Sequence, residues 1–183
     1  MNVNEILSEI IEQKFKELQK YKKDGIFEKI NYFEGNAVGQ IGEIFVKDIF
    51  KILNIEIKDF KEVIHDEFDI CLVDDTKIEI KTARKGIKNN TFQFNGINPH
   101  YNVKYIICIG LCTSCAYFKL INGQKLYDHK TRSFYLQIDE KNKKLVSMNP
   151  GNQANYKLTL NLKDLEPIEK FIDTIKKIFC KIK

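Results

Sequence analysis

The sequence predicts a mixed α/β (α+β) fold in which helices flank a mixed central sheet. Two observations carry this: period-two segments run from Ile55 onward, and helical spacing precedes and follows them. A third is size. The chain has 183 residues, 43% hydrophobic and 30% charged, enough for one packed domain over residues 1–183.

The elements follow in order. Over residues 4–23, Ile6, Ile10, Ile11, Phe15 and Leu18 recur with helical spacing, and Asp24-Gly25 stops the helix. This segment, 1–24, is a candidate dimerisation element. A second helix is expected from Asn36 to Leu53, with a buried stripe of Val38, Ile41, Phe45, Ile49 and Ile52. Gly39 and Gly42 each cost ~1 kcal/mol inside it relative to alanine, so they are expected to admit a neighbouring backbone closely. Glu43 falls off the stripe, on the edge shared with Gly39 and Val46.

From Ile55 the segments IEIKDF, FDICLV, KIEIK, KYIICIGLC, AYFKLI, FYLQI and KLTLNL read as strands. Asp74-Asp75-Thr76, Asn122-Gly123 and Asn149-Pro150-Gly151 read as turns between them. Helical spacing returns at Leu165, Ile168, Phe171, Ile172, Ile175, Phe179 and Ile182, with Pro167 in the first turn.

Composition excludes several classes. No apolar run approaches the roughly 20 residues of a membrane helix, and the N-terminus carries acids where a signal peptide needs bases. Membrane, secreted and fibrous readings are set aside. Five scattered cysteines fit a reduced, cytoplasmic protein. Cys112 and Cys115 form one C-x-x-C, with Cys108 just before it. Zinc takes four ligands, usually as two such pairs. With one pair present, His100 or His129 would have to join through the fold, and small apolar residues at a strand end are the default. Thirty Lys and Arg against 25 Asp and Glu give a net charge of +5, which permits a polyanionic partner without requiring one. Arg84 and Arg132 are the only arginines.

The chemistry concentrates in one hairpin. If Asp74 to Thr76 form its loop, Val73 opposes Lys77, Cys71 opposes Glu79 and Asp69 opposes Lys81. Alternation then buries Ile70, Leu72, Ile78 and Ile80 on one face and gathers Asp69, Glu79 and Lys81 on the other. Two carboxylates are what Mg²⁺ takes from a protein. A lysine beside them can position or deprotonate an attacking water and offset developing negative charge. Together they suit metal-assisted hydrolysis of a phosphodiester. E-x-K on a strand is also a common solvated pattern, worth ~0.5 kcal/mol as a surface pair.

The wider context resembles the PD-(D/E)xK nuclease superfamily, over roughly Asn36 to Leu120. Gly39-Gln40-Ile41-Gly42-Glu43 looks like its glutamate-bearing helix, Asp69 like its strand-start aspartate, and Glu79-Ile80-Lys81 like its E-x-K. Phe68 stands where the family's name has proline. The continuation through Lys81-Thr82-Ala83-Arg84, Phe92–Ile97 and the strand Tyr105–Leu111 is most similar to small type II restriction endonucleases. The resemblance implies a restriction-endonuclease-like sheet and a Mg²⁺-dependent, sequence-specific endonuclease of double-stranded DNA. It further implies that Asp69 and Glu79 ligate Mg²⁺, Lys81 acts on the nucleophilic water, and Glu43 supports a metal or its water.

DNA contacts are expected in three polar stretches. Thr82 to Asn90 reads as a basic loop beside the metal site, with Arg84, Lys85 and Lys88 as phosphate contacts. Gln93 and Asn95 can address adenine, Lys130 and Arg132 guanine or phosphate, and Asn152 lies in the amide-rich run Asn149–Tyr156. His65-Asp66-Glu67 reads as a turn, since neighbours on a strand do not converge. Cutting both strands calls for two active sites, hence a homodimer, and a restriction system would include a cognate DNA methyltransferase. Two other readings stand beside this one: a structure-selective repair or recombination nuclease such as a junction resolvase, and a non-catalytic nucleic-acid-binding module.

Overall fold

A short 3-10 turn (Glu28–Tyr32) leads into helix α1 (Gly35–Ile52), within a residue of the expected bounds at each end. The computed structural model describes residues 16, 25–59, 67–87, 89–149 and 151–180. Apart from Lys16, the helix expected over 4–23 lies outside the described residues, as do His65, Asp66, Lys88, Pro150 and residues 181–183.

The buried line of α1 is Val38, Gly42, Val46 and Phe50, one residue per turn. The expected stripe is therefore corrected. Ile41, Phe45 and Ile49 flank the contact, and Ile52 is 67% exposed. The cause is Gly42. A β-carbon there would fall 1.8 Å from Thr82 Oγ1, so the helix seats its glycine edge directly on a strand. Gly39 does not share this role, because a β-carbon on it would meet nothing within 4 Å.

Eleven strands follow among the described residues: β1 (Ile70–Cys71), β2 (Lys77–Arg84), β3 (Thr91–Ile97), β4 (Tyr105–Leu111), β5 (Ala116–Asn122), β6 (Lys125–Asp128), β7 (Ser133–Ile138), β8 (Lys141–Lys144), β9 (Val146–Asn149), β10 (Asn152–Asn161) and β11 (Glu166–Pro167). The central sheet has the order β1-β2-β4-β5-β11 and is mixed: β2 and β4 run parallel, and its other neighbours antiparallel. Two three-stranded sheets, β3-β10-β9 and β6-β7-β8, complete the chain with helix α2 (Phe171–Phe179). The fold is α+β with a mixed sheet, as the sequence predicts.

Two cores divide the space. One lies between the central sheet and the helices, with Val46, Phe50, Ile78, Ile80, Ile107, Phe118, Phe171 and Ile175 at its heart. The other lies between the opposite sheet face and the smaller sheets, and is built from Phe92, Phe94, Ile106, Cys108, Leu136, Leu158 and their neighbours. The central sheet is thus covered on both sides.

Several expected elements are corrected. Among the described residues of IEIKDF, Ile57 alone forms a β-bridge, to Leu72. Strands β3, β6, β8 and β9 arise in stretches read as loop or left unassigned, and β10 extends KLTLNL back through the amide-rich run. The outer strands β8 and β9 are largely exposed, so their sequence carries little apolar alternation. Pro167 sits in β11, not in a helical turn, and α2 begins only at Phe171 after a 3-10 turn.

The Gly42 contact makes a prediction. Gly42→Ala gains ~1 kcal/mol of helix propensity but overpacks Thr82, at a cost of about 1–3 kcal/mol. A net loss of ~1 kcal/mol lowers the unfolding midpoint by ~2–4 °C in a chain of this size. The same change made together with Thr82→Ala costs nothing measurable, a difference that a double-mutant thermal melt reads directly.

Candidate active site

Strand β2 alternates two chemistries. Ile78, Ile80 and Thr82 face the helices, and Lys77, Glu79, Lys81 and Ala83 face the second layer. Across from it, Ile70 pairs with Ile78 and Cys71 with Lys77. The expected register is corrected by two residues. Leu72 N–H donates to Thr76 O at 2.9 Å, so the turn is Val73-Asp74-Asp75, one position earlier than expected. Asp74 Oδ1 accepts the Thr76 N–H at 3.0 Å, and Asp75 takes the left-handed conformation with φ 65°. A slip of two keeps every side chain on its face, whereas a slip of one would not. Asp69 stands one residue before β1, next to the Ile70–Ile78 pair, and its charge acts on Glu79.

Asp69 is held by the backbone. Its N–H donates to Ile78 O at 3.0 Å, and its Oδ2 accepts the Ile80 N–H at 2.5 Å. Glu79 is the buried partner, with a side chain 5% exposed, and Lys81 Nζ lies 3.0 Å from its Oε1. Glu79 Oε2 is buried and has no hydrogen-bond partner among the described residues. An unsatisfied carboxylate oxygen is costly in a low-dielectric site. Burial accordingly raises the Glu79 pKa above the usual carboxylate range; Lys81 and Lys125 oppose that and Asp69 adds to it.

Glu43, half-exposed on α1, titrates high as well, through burial first and the Asp69 charge second. Its Oε2 lies 3.9 Å from Lys47 Nζ, one helical turn away. Above Lys81, β3 makes a bulge at Asn95-Gly96, where two residues oppose Lys157 alone. Gly96 adopts φ +76°, and a β-carbon there would stand 3.9 Å from Lys81 Nζ. Lys125 of β6 was not foreseen. Its Nζ donates to Tyr101 O at 2.8 Å, and burial lowers its pKa while the Glu79 charge counters this. It comes from a different sheet and 46 residues downstream of Glu79, so no local spacing could have revealed it.

The other expected residues scatter. Arg84 lies within β2, on the helix-facing side away from Lys81, and its Nη1 donates to Ile30 O at 3.3 Å. The expected basic loop therefore starts only after Arg84. Lys85 is exposed four residues beyond Lys81, ~13 Å along the strand. Gln93 and Asn95 are strand residues on the exposed side of β3, and Asn95 belongs to the bulge over Lys81. Lys130 and Arg132 occupy the β6–β7 turn, beyond the Asp128–Ser133 pair. Asn152 pairs with Asn149 at the start of β10, and Lys88 lies outside the described residues. Glu67 pairs with Lys77 at 3.3 Å.

Among the described residues no group of three or more His, Cys, Asp or Glu side chains could hold a metal ion. His100 packs edge-on against Phe134 at the opposite end of β4 from Cys112, a span of ~20 Å. Asp69 and Glu79 remain as a two-carboxylate set. One buried oxygen lacks a partner, and the donors are the hard oxygens that Mg²⁺ accepts with water and phosphate completing its shell. No helix of the described residues is long and apolar enough to cross a membrane. Neither a protein-family model nor a curated protein matches the chain.

The raised Glu79 pKa sets a pH dependence. Stability carried by its neutral form is present below the unfolded value near 4.5 and is lost as pH rises through the higher folded value. Glu79→Gln is therefore expected to be more stable than the parent at pH 7 without Mg²⁺. The gap should narrow as pH falls toward 4.5, measured by denaturant unfolding at several pH values.

Proposed function

We propose that the protein is a Mg²⁺-dependent, sequence-specific endonuclease of double-stranded DNA with a restriction-endonuclease-like core. One observation carries the reading: Asp69 bonds the backbone on either side of Glu79, at Ile78 O and Ile80 N–H, Lys81 sits 3.0 Å from Glu79 Oε1, and the other Glu79 oxygen is buried without a partner among the described residues. The order of parts supports it. A glutamate-bearing helix precedes the aspartate strand, and the E-x-K strand follows, as in the nuclease superfamily that the sequence resembles.

Asp69 and Glu79 would hold Mg²⁺, which supplies charge neutralisation at the scissile phosphate and a more acidic bound water. Asp69 is pre-oriented for this by the Ile80 N–H. Lys81, steadied by Glu79, would orient the attacking water and face the growing negative charge of the phosphate. Glu43, raised by burial and by Asp69, is suited to take a proton from that water or to hold it in place. The exposed Asn95 and Gln93 on the same side would read bases, and Lys85, Lys130 and Arg132 would contact phosphates further out. Duplex cleavage then calls for two copies of the site, hence a homodimer.

The test is incubation with unmethylated genomic DNA and Mg²⁺, followed by sequencing of the ends. Discrete ends are expected. Ends only at branched substrates would instead support a structure-selective nuclease, and salt-dependent binding with no cutting in any divalent ion would support a binding module. Lys81→Ala should cut ~10²–10⁴-fold more slowly, with DNA binding in Ca²⁺ retained. Cleavage at the parental rate by that variant would remove Lys81 from the mechanism. Glu79→Gln should abolish both cutting and the rise in melting temperature that Mg²⁺ gives the parent.

A further inference from the structure

Away from this site, β4 and β5 are joined by the tight turn Cys112-Thr113-Ser114-Cys115. Leu111 pairs with Ala116, and Cys112 N–H donates to Cys115 O at 2.9 Å. Opposed residues of an antiparallel pair stand ~4.5–5.5 Å apart at Cα, inside the ~4.4–6.8 Å that a disulfide spans. The two thiols interact with each other, Ser114 Oγ lies 3.9 Å from Cys115 Sγ, and Tyr117 hydrogen-bonds Cys115. They open onto a cavity of about 260 Å³ that Arg84 and Lys85 also line. The remaining cysteines differ: Cys71 and Cys108 are buried in strands, and Cys180 ends α2. All five are free thiols.

The pair is also electronically split. Burial opposes ionisation of Cys115, but the hydrogen bonds from Tyr117, Cys112 and Ser114, with the Lys85 charge, bring its thiol below the ordinary range. Burial and the contact with Cys115 push Cys112 up to about 12. One cysteine is thus suited to attack and the other to resolve.

We propose that Cys112 and Cys115 are a thiol–disulfide exchange site whose substrate class is small disulfides such as oxidised glutathione. Cys115 thiolate attacks one sulfur of the disulfide, forming a mixed disulfide and releasing one small thiolate, which takes up a proton. Cys112 then loses its proton to solvent and attacks Cys115 Sγ, forming the internal disulfide and releasing the second small thiol. Two protein thiols are oxidised by two electrons, and one small disulfide is reduced to two thiols. The site does not depend on the nuclease reading. The closed turn would report to the 3-10 segment, because Thr113 O accepts the Phe27 N–H at 2.7 Å.

The experiment equilibrates the full chain with glutathione buffers of graded oxidation, traps free thiols by alkylation, and maps them by peptide mass. The expected result is a Cys112–Cys115 disulfide over part of the series, with Cys71 and Cys108 alkylated only after denaturation. A dithiol-specific trivalent arsenical, phenylarsine oxide, should bind the reduced chain one to one. It should bind at least ~10-fold more weakly to Cys112→Ser and Cys115→Ser, and unchanged to Cys180→Ser. Circular dichroism shows that each variant is folded, and the mapping of the parent needs no variant. Glutathione adducts without an internal disulfide at every poise, or equal arsenical binding by folded Cys112→Ser, would overturn the proposal.

Discussion

A carboxylate buried on a strand that is covered on both faces governs this molecule. Glu79 is desolvated, one of its oxygens rests on Lys81, and the other has no protein partner among the described residues. Such a group is tolerable only where cations stand close or where it stays protonated. The surroundings follow from that requirement. Lys81 comes from the same strand and Lys125 from a separate sheet, while the bulge at Gly96 lies over the Lys81 ammonium. On the opposite face of β2, Ile78 and Ile80 are committed to packing, and Gly42 lets α1 settle onto Thr82. The polar row is held rigidly because the apolar row behind it is fixed.

Parity was the part of this arrangement that the residues disclosed most clearly. Ile70, Leu72, Ile78 and Ile80 share a buried face because alternation along a strand admits no other choice. The pairing across the hairpin differs by two residues from the sequence expectation, since Asp74-Asp75-Thr76 and Val73-Asp74-Asp75 preserve the same faces and differ only in which side chain closes the turn. The helix stripe failed for another reason. A glycine adds nothing to an apolar pattern, yet Gly42 sets the line of contact. The second layer was nearly silent, because lysine- and asparagine-rich edge strands carry no clean alternation. Lys125 shows the deeper limit: its place beside Glu79 exists only through the stacking of one sheet on another.

The same geometry redistributes the basic residues. Arg84 and Lys81 lie three positions apart in one strand and so belong to opposite faces. What reads in sequence as a continuous positive stretch is divided by the sheet itself, one part facing the second layer and the other facing the 3-10 turn and the dithiol cavity. Net charge along the chain is therefore a poor guide to local field here.

The parallel pairing of β2 with β4 has a topological consequence. Two parallel neighbours cannot be joined by a tight turn, so the chain leaves the central sheet after Arg84 and returns at Tyr105. It spends that excursion building β3, whose bulge roofs Lys81. The roof is the connector. Trimming it away to uncover the lysine would sever the link that carries the chain from one parallel strand to the next.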